Sequence, residues 1–168
     1  PDQTRQRCSA IFEVLPSIGV RVERNDGTAS LTSNEPIPGG VVDVSACPDL
    51  LPLLAAIAPS FSGPLQLCGL ETVRRRDPQL FADLHSELIK VSTAVELSDD
   101  RMTIGPGWSE SPVSIDPHGD PKLAICFAIA GLLRGNVTVE NDRLVTDFYP
   151  RFWKTLEELV RSSAEAAG

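Results

Sequence analysis

Shifting the chain by 72 residues lays Gly63 on Gly135, Leu51 on Leu123, Ala58 on Ala130, and Leu65 and Leu67 on Val137 and Val139. Self-similarity at a fixed period means a tandem array of αβ units rather than one irregular domain. The fuller copy spans residues 39–70, GGVVDVSACPDLLPLLAAIAPSFSGPLQLCGL, and reads as strand, helix, strand. Residues 41–44 are β-branched and short. Pro48 sits where a first helical turn tolerates proline, because that N–H has no intrahelical partner. Residues 50–61 are apolar on nearly every face, which predicts a buried helix ended by Ser62-Gly63.

The second copy, GDPKLAICFAIAGLLRGNVTVEN, is again a proline-started apolar helix, a glycine stop and a strand. The helices that follow keep the offset: Leu80, Leu84 and Leu88 match Phe152, Leu156 and Val160. A third, partial copy opens the chain, where Leu15, Val22, Glu23 and Leu31 match Leu88, Val95, Glu96 and Ile104 at an offset of 73. The units fall at about residues 1–38 (partial), 39–111 and 112–168, together one lobe. Because the chain opens inside an incomplete repeat, a piece of a longer polypeptide is expected.

In order, residues 4–15 predict an amphipathic helix stopped at Pro16. A hairpin follows around Asn25-Asp26-Gly27, with strands over 20–23 and 29–32. Residues 71–76, rich in arginine, read as a loop. Asp77 caps a helix with Pro78 at its first position and Leu80, Phe81, Leu84 and Leu88 on its apolar face. A second hairpin turns at Asp99-Asp100. Residues 113–115 form a strand, Asp120 caps the helix of the second copy, residues 137–140 form a strand, and Pro150 starts the last helix. Each complete unit is α-β-α-β-β in rhythm, with helices against a mixed sheet.

Charge and composition exclude several classes. A net charge of −8 leaves no large basic face for a general nucleic-acid binder. No apolar run reaches the ~20 residues of a membrane span. The four cysteines lack CxxC spacing and read as small buried hydrophobes in a reduced, cytoplasmic setting. His85 and His118 show no ligand spacing, so neither metal nor cofactor is expected.

The chemistry collects at helix starts, where unpaired N–H groups and the helix dipole favour anions. Asp49 and Lys122 lie just inside two helices, Asp77 caps another, and Asp147 precedes a fourth. Taken singly, each acid is an ordinary cap or a dipole-favoured residue. Lys122 has the wrong sign for its place and is explained either by a bound anion or by chance surface placement. Arg74-Arg75-Arg76 is the one basic cluster, a solvated loop or a site immediately before Asp77.

DVSACPDLLPLLA, then GL with RRD before a helix, then GDPKLAICFAIAGL and VTDFYPRFWKTLEEL, resemble the C-terminal half of EPSP synthase, 3-phosphoshikimate 1-carboxyvinyltransferase. The likeness covers almost the whole chain in one register. It implies an α+β, enolpyruvyl-transferase-like lobe of repeated βαβαββ units, with buried parallel helices walled by four-stranded mixed sheets. It also implies an N-terminal partner lobe closing over shikimate 3-phosphate and phosphoenolpyruvate. By the same resemblance Asp49 and Asp77 are the catalytic carboxylates, and Arg76, Lys122 and Asp120 bind substrate.

Several motif positions depart from the family: Arg76 stands at the lysine and Asp77 at the glutamate of the KESDR-type motif, each keeping its charge. Leu80 stands at an arginine of the KESDR-type motif, Pro121 at the histidine of DHR, and Asp147 at the lysine before TFP. Lys122 itself replaces the arginine of DHR, keeping the charge without the bidentate fork. A charge-assisted contact contributes ~1.5–3 kcal/mol, so the lost cations weaken a tri-anion clamp by on the order of 5 kcal/mol. Two readings follow: one lobe of a shikimate-pathway transferase, inactive by itself, or a non-catalytic EPSP-synthase-like binding or scaffolding domain.

Overall fold

The computed structural model describes residues 11–25, 28–33 and 36–166. The chain divides into two compact units, Pro1–Glu110 and Ser111–Gly168. Each is built around its own run of apolar helix.

In the first unit, residues 11–14 are helical and run into a 3-10 turn, Leu15–Ile18. Pro16 lies inside that turn; the left-handed Gly19 ends it. The predicted helix before residue 11 lies outside the described residues. Strands β1 (Val20–Asn25) and β2 (Thr28–Ser33) pair antiparallel with Asn25 opposite Thr28; the expected turn at Asp26-Gly27 lies outside the described residues.

The main sheet has the order β3-β4-β6-β5, with β3 Gly40–Asp43, β4 Leu65–Cys68, β5 Val95–Leu97 and β6 Arg101–Ile104. β3 and β4 run parallel, whereas β6 is antiparallel to both β4 and β5. This is the expected four-stranded mixed sheet. Its inner face is set by period-two alternation: Leu65, Leu67, Met102 and Ile104 are fully buried, with Gln66 and Thr103 between them.

The helix between β3 and β4 is more broken than its pattern predicts. A 3-10 turn, Pro48–Leu50, leads into α1, Leu51–Ile57, and a second 3-10 turn, Ala58–Ser60, closes it. Proline explains both joints. Pro48, Pro52 and Pro59 each lack an N–H and crowd the preceding turn, so an α-helical ladder cannot run through all three. Leu51, Leu54, Ala55, Ala56, Ala58 and Phe61 are buried nonetheless.

Residues 71–76 are not a loop. They belong to α2, Leu70–Arg76, which starts from left-handed Gly69 and buries Leu70 and Val73 one turn apart. α3, Pro78–Val91, follows at once, with Asp77 as its cap and Phe81, Leu84, Leu88 and Val91 buried. Glu87 is also buried, on that same helix, and Lys90 Nζ meets its carboxylate at 2.5 Å. The second unit-one hairpin turns at Ser98, whose N–H donates to the Arg101 carbonyl at 2.8 Å.

In the second unit, β7 (Val113–Ile115) and β8 (Val137–Val139) pair in parallel across α4, Pro121–Arg134. Among the described residues this sheet has two strands, where four were expected. α4 buries Leu123, Ala124, Cys126, Phe127, Ala128 and Ala130, but Leu132 and Leu133 in its last turn are exposed. It is therefore not enclosed on every face. The turn after β8 is followed by a short helix absent from the sequence reading, α5, Arg143–Phe148, anchored by buried Val145. α6, Phe152–Ala166, begins two residues later than the proline suggested. Val145 and Phe152 pack with Ala124 and Ala128 into this unit's core.

Candidate functional site

In the first unit, the polar residues singled out in the sequence gather where β3 ends and where α2 gives way to α3. Asp49 is carried on the 3-10 turn before α1, and Arg76 is the last residue of α2. Arg76 Nη2 stands 3.9 Å from Asp49 Oδ1, with both side chains about half exposed. At that separation and exposure the pair contributes ~0–1 kcal/mol to stability. Folding alone is thus a weak reason for the juxtaposition.

Asp77 follows Arg76 directly, but its carboxylate is engaged: Oδ1 accepts the Leu80 N–H at 3.0 Å and caps α3. Leu80 is half-buried and carries no charge at that position.

The three consecutive arginines have three different jobs. Arg74 lies with its guanidinium 4.6 Å from the centroid of the Phe81 ring and donates from Nη2 to the Ser98 carbonyl at 2.8 Å. Arg75 is ion-paired one turn back with Glu71. Arg76 alone of the three points to the acidic turn at Asp49. Glu71 donates its backbone N–H to Asp100 Oδ1 at 3.0 Å, so the tip of the β5–β6 hairpin holds α2 at two places.

One further acid in this unit had not been singled out. Asp43, the last residue of β3, accepts the Ser45 N–H at 2.8 Å. The Ser45 hydroxyl and that N–H hold its carboxyl below its ordinary value of 3.8, so it is ionised at neutral pH. A Cβ on Gly69 would lie 2.5 Å from Asp43 Oδ1, so only glycine lets α2 begin this close to the turn. The Asp-x-Ser spacing in DVS was the signal available in sequence.

In the second unit, Asp120 Oδ1 accepts the Lys122 N–H at 2.7 Å and caps α4, with Pro121 at the first helical position. Lys122 is exposed in that first turn. One turn on, burial pushes the Cys126 thiol up to about 12, helped by the Asp120 charge and opposed by Lys122. The loop before the cap holds His118 at positive φ, its N–H on Asp116 Oδ1 at 2.8 Å and its Nδ1 3.8 Å from Asp116 Oδ2. Asp147 does not precede a helix; it lies exposed within α5. The first unit thus brings Asp49 and Arg76 together, with Asp77 adjacent in the chain but turned to cap its helix, and the second places Asp120 and Lys122 at one helix start.

Among the described residues no cluster of three metal-ligating side chains occurs. No described helix is long and apolar enough to cross a membrane.

Comparison with known proteins gives one consistent picture. The model of the family EPSP synthase (3-phosphoshikimate 1-carboxyvinyltransferase) matches residues 1–156. The 3-phosphoshikimate 1-carboxyvinyltransferase of Syntrophobacter fumaroxidans is 32% identical over 161 residues, 95% of this chain and 38% of that protein. That of Methanopyrus kandleri is 32% identical over 149 residues, 87% of this chain and 34% of that protein.

Among solved structures, EPSP synthase from Acinetobacter baumannii superposes with a TM-score of 0.69 at 20% identity, covering 89% of this chain and 38% of that one. The enolpyruvyl transferase NikO from Streptomyces tendae gives 0.63 at 16% identity, covering 94% and 35%. These two likenesses establish the mixed helix-and-sheet fold. The chain spans a little over a third of the length of the curated relatives it matches. With the family model covering all but the last twelve residues, the chain belongs to the EPSP synthase (3-phosphoshikimate 1-carboxyvinyltransferase) family.

Proposed function

We propose that this chain is one lobe of a 3-phosphoshikimate 1-carboxyvinyltransferase, organised as repeat units at about residues 1–38, 39–111 and 112–168, and inactive without its partner lobe. The observation that carries the reading is the half-exposed Arg76–Asp49 pair, with Asp77 next in the chain, at positions that fall on the family's motifs, where Asp49 keeps the family's residue and Arg76 and Asp77 keep its charge. Asp49 accepts the proton of the shikimate hydroxyl as its oxygen adds to the enolpyruvyl carbon, and the methylene takes up a proton. Loss of a proton from the resulting methyl group and departure of phosphate restore the double bond. Arg76 holds an anionic or hydroxyl oxygen of the substrate, and Lys122 and Asp120 belong to the binding residues of the second unit. Asp77 is the second carboxylate, with one oxygen fixed by the helix it caps. The setting is cytoplasmic.

A second reading, a non-catalytic binding or scaffolding domain, is favoured by Leu80, Pro121 and Asp147. The lost cations and the added acid oppose a tri-anionic substrate.

Phosphate release from phosphoenolpyruvate plus shikimate 3-phosphate separates the two. The assay uses the full polypeptide containing these residues, with the 168-residue chain as control. Release that needs the other lobe and is lost on Asp49→Ala supports the transferase. No release, with neither ligand raising the thermal midpoint, leaves the binding domain.

A further inference from the structure

Asp49 and Arg76 meet at 3.9 Å with both side chains about half exposed, a pair too weak to fix its own geometry. Their meeting point is therefore set by the backbone segments that carry them. Those segments leave the main sheet side by side. β3 and β4 run parallel, and the last rung of their ladder sets Asp43 opposite Cys68. The Val44 N–H closes that rung on the Cys68 carbonyl at 3.0 Å. Beyond it, one branch runs to the 3-10 turn that carries Asp49. The other passes through Gly69 into α2, which ends at Arg76.

Asp43 stands in the fork. Its Oδ1 accepts the Ser45 N–H at 2.8 Å and so closes an Asx turn on the way to Asp49. Backbone bonds extend that turn: the Cys47 N–H donates to the Val44 carbonyl and the Leu50 N–H to the Cys47 carbonyl, each at 3.1 Å. On the other branch, a Cβ at Gly69 would lie 2.5 Å from the same Oδ1, 2.9 Å from Ser45 Cβ and 3.0 Å from the Ser45 nitrogen. The N-cap of α2 thus rests directly against the carboxylate and the turn it closes. Asp100 and Ser98 hold α2 further along, at Glu71 and Arg74. The Asp43 turn is what the helix rests on where it begins.

We propose that Asp43 is a positioning residue, whose carboxylate sets the spacing of the two branches and thereby the approach of Arg76 to Asp49. It acts through Ser45 and Gly69. The consequence for turnover rests on the transferase reading above; the placement of the two branches does not.

Amide hydrogen exchange in the full polypeptide containing these residues tests the placement. Asp43→Ala removes a charged acceptor, and amides over residues 45–50 and 70–76 are expected to exchange together about ten-fold faster. Val42 and Leu67, inside the sheet, keep the parent rate. Asp43→Asn retains an oxygen in the same place and returns both segments towards the parent rate. Phosphate release from phosphoenolpyruvate plus shikimate 3-phosphate tests the consequence. Misplacing a reacting group lowers kcat, by about ten-fold or more in Asp43→Ala, and Asp43→Asn restores it. Faster exchange over 45–50 with 70–76 unchanged overturns the proposal, because Asp43 then serves its own turn alone. So does a parent-level kcat in Asp43→Ala. A parent polypeptide that releases no phosphate refutes the transferase reading instead, and the exchange pattern still decides the role of Asp43.

Discussion

Asp77 serves two masters, and its substitutions separate them. Asp77→Ala deletes the acceptor of the Leu80 N–H at 3.0 Å and leaves the first turn of a fourteen-residue helix with one more unmet donor. Loss of such a cap costs about 1 kcal/mol, within a range of roughly 0.5–2. Asp77→Asn keeps an oxygen in the same place and loses only the favourable charge at the helix N-terminus, about 0.3–1 kcal/mol at an exposed site. Stability therefore falls in the order aspartate, asparagine, alanine. The full span corresponds to a drop of about 4 °C in thermal midpoint for a unit of this size. Urea denaturation followed by far-UV circular dichroism reads it directly. The reasoning fails if alanine matches the parent protein, or if asparagine is the worse of the two. Turnover is expected to behave differently: a role for the charge itself silences both variants equally, whatever their stabilities.

Three more outcomes follow from the geometry. Gly69→Ala meets Asp43 Oδ1 at 2.5 Å and holds alanine at a φ of +76°, so a loss of about 2 kcal/mol or more is expected in the urea midpoint. Phe127→Ala empties a fully buried site in the second unit and lowers stability by about 3–5 kcal/mol, seen as an early transition in a thermal melt. Cys126, pushed up to about 12, stays protonated in the native chain. The native state therefore keeps a proton that the unfolded chain releases above its model value of 9.0, and the thiol's contribution to stability is lost as pH rises from there towards 12. Native alkylation at mildly alkaline pH is expected to spare Cys126 and to reach it in denaturant, as mass spectrometry would show.

Where the sequence carried strong local signals, they were sufficient. Asp99-Asp100 set a hairpin, and Asp77-Pro78 and Asp120-Pro121 set two helix starts, because turn and cap chemistry acts within four residues. The helices α2 and α5 escaped for a shared reason. At seven and six residues they are too short to be stable from their own pattern, and each shows few buried residues. α2 is held by Asp100 and Ser98, residues about 25 positions further along, which no local window contains. Three prolines then divided a helix whose hydrophobic pattern ran on unbroken. At the candidate site, residue identities came from motif likeness. What likeness could not give was the sorting of three adjacent arginines into a ring-stacked anchor, a surface pair and a partner for Asp49.

That anchoring makes α2 and the β5–β6 turn one opening unit. Releasing the hairpin tip breaks the bond to the Glu71 N–H and the bond from Arg74 at the same moment. The helix left behind has too few turns to persist by itself. Amide exchange in residues 70–76 should therefore track that of Ser98 and Arg101, and both should exchange ahead of the buried β4 strand. Arg76 would then lose its position whenever a turn two strands away lets go. In this unit the reach of a cation toward Asp49 is set by the lifetime of a hairpin that bonds Glu71 and Arg74 of the same helix.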